Sequence, residues 1–484
     1  MEEIDIEAVT KRSIRGVFAL VSRTFAIQVI GLIANLLLTI FLSPSVFGVF
    51  FVVSAAIAFL SYFSDIGLAA ALIQKKEPIT EEELKTTFTI QQILVISVVI
   101  IALLLSGLVK DFYHLDSDGL LLFQVLIISF FLSSLKTIPS ILMERELRFE
   151  KLVIPQIVEN LFFNVVAVVL AANGFGVASF TFAVLARGIS GVIAIYIINP
   201  WRIGLGFQKN AAKKLLSFGI PFQTNSFLAL IKDDLLIAYL GKVLPLAQVG
   251  YIGFAQKWAF VPLRLIMDNV IRITFPSFSR LQEDKNVLRK AVEKSIFAAC
   301  FLIFPSLMGL VVLSPYFIHI IPKYIKWEPA VLSLAFFAVN AAFSSVSTPL
   351  TNALSAIGKI KVTLYLMVFW TIATWALTPL FIVWFGFNGV AYASALIASS
   401  VVIVIYIVKR FMEFSVLRVV LNPLIATAIM GTVVYFLSPL VIKNMLTLFF
   451  VVALGAVLYF LTMFALAKKE ILSDIELIRE NLKN

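Results

Sequence analysis

Three ionisable residues stand side by side in an apolar run of this 484-residue chain. The run reads LALIKDDLLIAYLG at 228–241, and its charges are Lys232, Asp233 and Asp234. Neighbouring residues on a helix point about 100° apart, so the three cannot all pair on one face. They predict a water-filled cavity that reaches their depth, with Lys257 as a candidate partner. The cavity would serve coupling to a cation or a proton, or gating; an inter-helix clamp is the alternative.

Cations at successive depths mark the next apolar segment. Lys257, Arg264, Asp268 and Arg272 are spaced by 7, 4 and 4 residues. On a helix they would fall within an arc of about 80° and run roughly 22 Å along the axis. A row of cations at several depths suits an anion that must move past them. Structural ion pairs of Arg264 or Arg272 with Asp268, one turn away, are the alternative.

Single charges interrupt other apolar segments. Glu159 is a lone acid and a candidate site for a proton or a sodium ion, whereas Arg187 is a candidate contact for an anion. Asp65 and Asp268 occupy similar places in the two halves of the chain, which suggests an inner gate or a structural clamp. A charge near the centre of a membrane helix costs at least about 2.5–3.5 kcal/mol, so these groups must face each other or water. The full set within apolar segments is Arg23, Lys136, Arg187, Lys232, Lys257, Arg264, Arg272, Asp65, Glu159, Asp233, Asp234 and Asp268.

Long apolar segments must position these charges. The chain is 61% hydrophobic and 14% charged, whereas soluble domains contain about 25% charged residues. Segments of about 20 apolar residues are long enough to cross a bilayer as helices. We therefore predict an all-α polytopic membrane protein with about 14 transmembrane helices, at 16–41, 46–66, 87–109, 119–142, 152–172, 176–198, 218–241, 247–275, 291–314, 329–352, 361–384, 388–408, 420–438 and 446–466.

The net charge of +11 has a ready explanation in a membrane protein. In a soluble protein it would suggest nucleic acid, but here no nucleic-acid partner is expected. Most Lys and Arg residues outside the spans lie in the joints on the side of the N-terminus, which the positive-inside rule makes cytoplasmic. The opposite joints carry only Lys110, Lys242, Lys323, Lys326 and Lys443. We expect both termini in the cytoplasm, no signal peptide, and insertion in the plasma (inner) membrane.

A weak internal repeat suggests two halves. Three motifs recur in the same order: LSPSVFGVF (42–50) and VLPLAQVGYIG (243–253), FLSSLKTIPSIL (131–142) and FSSVSTPLTNAL (343–354), GFGVASFTFAVL (174–185) and GFNGVAYASAL (386–396). Parallel repeats with a site at their interface are a transporter architecture. The prediction is two pseudo-symmetric six-helix bundles, 1–200 and 201–415. Two accessory transmembrane helices and a cytoplasmic tail follow at 416–484.

Several kinds of chemistry lack their residues. The only cysteine, Cys300, lies in an apolar helix, and the two histidines, His114 and His319, lie in external joints. No Cys or His cluster is available for a metal site. The sequence contains no G-x-x-x-x-G-K-[ST] loop for ATP. We expect no catalytic residue, no metal and no cofactor, apart from coupling to Na+ or H+.

The chain resembles the Wzx-type polysaccharide flippases of the multidrug/oligosaccharidyl-lipid/polysaccharide (MOP) exporter superfamily. The resemblance is carried by LSPSVFGVF, FSDIGLAAALIQKKEPI, ILMERELRFEKL, DDLLIAYLG, LPLAQVGYIGFAQKW and ITFPSFSRLQED. It implies two six-helix bundles that form a V around a central cavity, with two extra helices. It also implies outward transfer of a polyprenyl-diphosphate-linked oligosaccharide. Cavity arginines are thought to hold the diphosphate in such flippases, and by position these would be Arg23, Arg187, Arg264 and Arg272.

Two other functions compete with this interpretation. A cation-coupled drug antiporter of the same superfamily would need a cavity dominated by acids, whereas this chain has more intramembrane cations than acids. A membrane glycosyltransferase or polymerase would need a catalytic acid in an external loop and a large external domain. The expected partners are a lipid-linked oligosaccharide, membrane lipids and other polysaccharide-assembly proteins.

Overall fold

A computed structural model describes residues 26–62, 67–75, 77–224 and 227–481 of the chain. Side chains are described over the same ranges, apart from positions 218, 220–224, 227–229, 272, 273 and 468–481. Every regular element within these ranges is helical. The predicted all-α fold is therefore confirmed.

Eleven helical segments within the described ranges are long and apolar enough to cross a membrane. They coincide with eleven of the predicted spans, and the chain is a multi-pass membrane protein. The other three predicted spans also contain helices. These are α1, whose described part is a shorter apolar helix, and α11 and α12, which carry the charges discussed above. The count of fourteen stays a prediction.

The chain divides into two compact units, Met1–Gly250 and Tyr251–Asn484, whose boundary falls inside α12. The predicted domain limits at 200 and 415 stay predictions. The helices up to this boundary are α1 (Ala26–Phe41), α2 (Pro44–Ser61), α3 (Leu68–Gln74), α4 (Glu81–Leu104), α5 (Ser106–Tyr113), α6 (Ser117–Leu135), α7 (Thr137–Arg145), α8 (Phe149–Ala172), α9 (Ala178–Ile198), α10 (Lys209–Thr224), α11 (Phe227–Val243) and α12 (Leu246–Arg280). Beyond it lie α13 (Lys285–Ile320), α14 (Ala330–Ala356), α15 (Ile360–Phe385), α16 (Asn388–Ala398), α17 (Val401–Lys409), α18 (Val416–Val441) and α19 (Met445–Asn481), with a 3-10 turn at Pro322–Trp327.

Polar caps and glycines explain where several helices begin and end. Thr80 and Glu83 form a capping box at the start of α4, in which each side chain accepts a hydrogen bond from the other residue's backbone N–H. Asp284 caps the start of α13, where its Oδ1 accepts hydrogen bonds from the backbone N–H groups of Asn286 and Val287. Gly174 and Gly176 have positive φ angles between α8 and α9, which permits the tight turn of that helical hairpin.

Helices of the first unit pack in a continuous series. Helix α8 packs on α9, α9 on α6, and α6 on α2 and α4. The start of α2 also meets the start of α12, through a pair of exchanged contacts that we call the reciprocal glycine contact. A Cβ on Gly48 would overlap the carbonyl oxygen of Leu246, and a Cβ on Gly250 would overlap that of Pro44. The first recurring motif of the sequence thus packs against its own second copy.

The second unit repeats part of this packing. Helix α15 packs on α16 and α16 on α14, in the same order as α8, α9 and α6. Helices α18 and α19, predicted as accessory, are held on α13 by a shared apolar cluster that includes Met430 and Met463. Tyr459 of α19 also donates a hydrogen bond to the carbonyl oxygen of Phe301 at 2.7 Å. The two C-terminal helices therefore belong to the core of this unit.

Candidate functional site

Three charged side chains of the first unit form a cluster that we call the ion cluster: Lys136, Glu159 and Arg187. Lys136, at the junction of α6 and α7, donates from Nζ to Oε1 of Glu159 on α8 at 2.6 Å. Arg187 of α9 approaches the other carboxylate oxygen, with 3.8 Å between Nε and Oε2. Glu159 is buried, whereas the side chain of Arg187 is 53% exposed. Two residues predicted as separate sites, Glu159 and Arg187, thus share one site.

Close helix packing and a polar lining position the ion cluster. Gly191, one turn beyond Arg187, lies against the Glu159 carboxylate, so that a Cβ at this position would overlap Oε1. Helix α4 contributes two buried side-chain amides, those of Gln91 and Gln92. Gln91 donates to Thr137 at 2.9 Å and Gln92 donates to Ser134 at 3.0 Å, which ties the segment that carries Lys136 to α4. By fixing this segment, the two hydrogen bonds help to position the Lys136 ammonium beside Glu159.

The ion cluster has two chemical consequences. Its two cations and one carboxylate leave one net positive charge, and the exposed guanidinium of Arg187 is the part that an anion can reach. A guanidinium fork matches the oxygens of a phosphate. The Glu159 carboxylate, in contrast, is already in contact with an ammonium group. Helices α8 and α9 also form an apolar groove of about 410 Å³, lined by residues that include Val158, Phe162, Ile189 and Ile193 but by none of the ion cluster.

A second charged surface lies on α12, and we call it the polar face. Between residues 251 and 270 every exposed side chain is polar: Gln256, Lys257, Arg264, Asp268 and Asn269. Elsewhere the exposed surface of the transmembrane helices is largely apolar, as on α15. Lys257, Arg264 and Asp268 lie within an arc of about 40° and span about 16 Å of the axis. In the predicted span at 247–275, exposure of these charged groups to lipid would be too costly, so the prediction requires the polar face to meet water or other polar groups.

The two alternatives for the α12 charges can now be separated in part. In the described part of the chain Arg264 makes no ion pair with Asp268. The structural clamp between those two residues is therefore not formed. Arg272 belongs to α12, but its side chain lies outside the described residues.

The charges of α11 are also partly paired. Lys232 Nζ lies 3.4 Å from Oδ1 of Asp233, its neighbour in sequence, while Asp234 is half-buried. The side chain of Asp233 is 66% exposed, so the protein does not enclose this pair. An exposed ion pair of this kind stabilises a fold by about 0–1 kcal/mol. The predicted role of these residues as a gate or a coupling site stays a prediction.

Other predicted site residues have a simpler outcome. Arg23 and Asp65 lie outside the described residues, and their predicted roles stay predictions. Sequence reasoning missed the partner of Glu159, although Lys136 was noted as an intramembrane charge. It also missed Gln256 and Asn269, and the available signal was that each is a polar neighbour of Lys257 or Asp268 in the sequence.

Comparisons with known proteins identify the family. The profile of the family described as Polysaccharide biosynthesis protein matches residues 37–332, which is more than half of the chain. The chain belongs to this family. The matched range contains both the ion cluster and the polar face, so these charged groups lie within the part that defines membership in the Polysaccharide biosynthesis protein family.

Three curated relatives match about 70% or more of the chain. The lipopolysaccharide biosynthesis protein WzxC of Escherichia coli (strain K12) is 27% identical over 356 residues, 71% of this chain and 69% of the relative. An uncharacterized membrane protein in the cps region of Klebsiella pneumoniae is 25% identical over 344 residues, 70% of each chain. The teichuronic acid biosynthesis protein TuaB of Bacillus subtilis (strain 168) is 23% identical over 386 residues, 77% of this chain and 78% of the relative.

Solved structures show the same fold. The lipid II flippase MurJ in an inward closed conformation has a TM-score of 0.76 at 15% identity, covering 93% of this chain and 99% of that one. An inward-facing multidrug resistance transporter of the MOP superfamily has a TM-score of 0.62 at 15% identity, covering 81% and 98%. At these identities the likeness concerns the fold alone.

Proposed function

We propose that the chain is a flippase that moves a polyprenyl-diphosphate-linked oligosaccharide from the cytoplasmic to the outer leaflet of the plasma membrane by alternating access. The observation that carries the proposal is the polar face of α12. Every exposed side chain of α12 between residues 251 and 270 is polar, and two of the three charged groups among them are cations. A membrane helix with such a face suits the passage of an anionic head group.

The ion cluster supports the same substrate. The guanidinium of Arg187 is partly exposed, and the groove between the same two helices, α8 and α9, offers apolar surface. A lipid-linked diphosphate has an anionic and an apolar part, so it matches both. We assign phosphate contact to Arg187, Lys257 and Arg264, and the same role to Arg23 and Arg272 by their positions. The names of the relatives, for lipopolysaccharide and teichuronic acid biosynthesis, agree with a precursor of a surface polysaccharide.

The driving force in this proposal is electrical. An anion that moves outward in an inside-negative potential gains about 2.3 kcal/mol per charge per 100 mV. No catalytic step is required, and both termini lie in the cytoplasm. Coupling to Na+ or H+ would serve only to reset the carrier, with Asp65, Asp233, Asp234 or Asp268 as the groups involved.

The test uses proteoliposomes with a fluorescent polyprenyl-diphosphate oligosaccharide in one leaflet. Transfer to the other leaflet is compared between wild type, Arg187→Gln and the double variant Lys257→Gln/Arg264→Gln. Each charge-assisted hydrogen bond contributes about 1.5–3 kcal/mol, so we expect at least a tenfold slower transfer in the double variant. Arg418→Gln removes one exposed arginine from α18 and serves as the matched control.

Two outcomes would overturn the proposal. Equal transfer by the double variant and the Arg418→Gln control would remove the polar face from the mechanism. Failure of the wild type at every imposed potential, together with export of a cationic dye, would instead identify the cation-coupled antiporter.

A further inference from the structure

The joint between α9 and α10 forms an extended segment at 200–208, which we call the strap. It runs along the first turns of α4. The backbone N–H groups of Gly206 and Gln208 donate to the hydroxyls of Thr89 and Thr86, each at 3.0 Å. The two threonine hydroxyls take the place of the backbone acceptors that a neighbouring strand would provide, so the strap has a defined path.

Two glycines let the strap lie flat on α4. A Cβ on Gly204 would approach Cε of Lys85 to 2.9 Å, and a Cβ on Gly206 would approach its Cβ to 3.2 Å. Near the start of the strap, the ring of Trp201 packs edge-on against Phe88, with 5.1 Å between the ring centroids. One face of the strap therefore packs against α4.

The opposite face presents a row of large apolar side chains. Ile203, Leu205 and Phe207 are 57%, 74% and 67% exposed. They alternate with the glycines, as the two-residue period of an extended chain requires. Three such side chains in a row are not left in water by chance, because each contributes to an apolar patch that favours a partner.

Exposed cations lie beside this row. Arg202 belongs to the strap, and Lys209, Lys213 and Lys214 follow on the first two turns of α10. Within the described ranges none of the four forms an ion pair. Helix α10 turns its other face inward, where Ala212 and Leu215 are buried. The strap and α10 thus combine an apolar row with unneutralised positive charge.

The level of the strap points to the bilayer as its partner. It meets α4 at Thr86 and Thr89, near the beginning of a membrane-spanning helix. One turn further along, Ile93 and Ile96 begin the exposed apolar surface of α4. Cationic segments with one apolar side lie in the interface and attract anionic lipids. We propose that the strap and the start of α10 bind anionic phospholipids of the adjacent leaflet, with the apolar row among acyl chains and the four cations on phosphates.

The proposal does not depend on which substrate the protein moves, and its test needs no transport. Cys300 is buried and is the only cysteine, so Cys300→Ser provides a background for single labels. An environment-sensitive fluorophore is attached at Leu205→Cys, or at Asn210→Cys, an exposed position on the polar side, as the control. The full chain is placed in vesicles of phosphatidylcholine with phosphatidylglycerol that contain spin-labelled lipid. We expect quenching at position 205 to exceed quenching at position 210 at least threefold.

The charge part of the proposal has its own measurement. The variant Arg202→Gln/Lys209→Gln/Lys213→Gln/Lys214→Gln is purified in detergent beside Lys285→Gln/Lys290→Gln/Lys359→Gln/Lys361→Gln, which loses the same charge elsewhere. Retained phosphatidylglycerol per protein should fall at least fivefold in the first variant only. Should that variant not fold, as judged by its elution volume, Lys213→Gln/Lys214→Gln replaces it with an expected loss of about half.

Each contrary result overturns a defined part. Equal quenching at positions 205 and 210 excludes insertion of the apolar row and leaves a soluble protein as the occupant. Strong quenching at position 205 with unchanged phosphatidylglycerol retention in the strap variant excludes recognition of anionic lipid.

Discussion

Equivalent helices of the two units make different contacts, which are charged in the first unit and uncharged in the second. In the first unit Glu159, the eleventh residue of α8, contacts Lys136 and Arg187. In the second unit the eleventh residue of α15 is Trp370, which donates from Nε1 to the Ser400 hydroxyl at 2.8 Å. Alignment of Gly-Val-Ala at 176–178 with the same residues at 389–391 places Arg187 opposite Ser400, since each lies eleven positions beyond its glycine. An ion pair between two helices thus has an uncharged hydrogen bond as its counterpart.

This difference shows how charge can be concentrated in one copy of a repeat. Other polar contacts of the second unit are also uncharged, such as Asn340 with Ser394 at 2.8 Å and Asn352 with Thr274 at 3.0 Å. Neutral hydrogen bonds keep helices together without the desolvation of a charge. The buried charges of the first unit are therefore not needed for packing alone, which agrees with a role in contact with an anion.

The strongest test of this comparison removes one partner on each side. In Glu159→Leu the buried ammonium of Lys136 loses its counter-charge, which is expected to cost about 3–5 kcal/mol of stability. In Ser400→Ala the loss of one neutral hydrogen bond is expected to cost about 0.5–1.5 kcal/mol. Thermal unfolding of both variants in detergent measures the difference.

The double variant Lys136→Leu/Glu159→Leu is the control for this test. It removes both charges, so it should recover most of the stability that Glu159→Leu loses. Equal losses in Glu159→Leu and Ser400→Ala would mean that the two units do not differ in the way proposed.

A second test uses the place where the two copies agree. Gly48 and Gly250 make exchanged contacts, so Gly48→Val and Gly250→Val should have similar effects. Each adds a side chain against a backbone carbonyl that cannot rotate away, and we expect a loss of about 1–3 kcal/mol. Gly107→Val is the matched control, because a Cβ there has open space around it. If one glycine tolerates valine and the other does not, the contact is not reciprocal in its energetics.

Lys136 makes a third, smaller test possible. Its ammonium contacts the carboxylate that would otherwise attract a soluble cation. In Lys136→Gln the carboxylate of Glu159 keeps only the longer contact to Arg187, so Na+ should now stabilise the protein. The measurement is the unfolding temperature in NaCl against choline chloride, which should rise with Na+ in the variant and stay constant in the wild type. A Na+-dependent rise of equal size in the wild type would show that Glu159 binds Na+ despite Lys136.

The helices were easier to predict from the sequence than the contacts between them. The apolar segments determined the places of α2, α4 and α13 because length and hydropathy are local properties. The ion cluster was not predicted, since the pairing of Lys136 with Glu159 depends on how closely Gly191 lets α9 approach α8. The repeat of LSPSVFGVF was visible in the sequence, but the sequence contains no sign that the two copies touch.

The smallest effect concerns the joint between α13 and α14, where the second unit places Lys323 and Lys326 outside its membrane spans. Burial, and then the charge of Lys323, lower the pKa of Lys326 to about 8. At pH 8 about half of this amine is neutral, against roughly 0.4% for a lysine with the ordinary pKa of about 10.4. An impermeant amine reagent should therefore label Lys326 preferentially at pH 8. Its labelling should be about fiftyfold slower at pH 6, where the amine is protonated, and the preference over other lysines should be lost only near pH 11, where they are neutral as well. In Lys323→Met one cause of the lowered pKa is absent, so the preference at pH 8 should decrease but not vanish, because burial remains. Peptide mass mapping measures both, and labelling from the cytoplasmic side alone would reverse the proposed orientation of the chain.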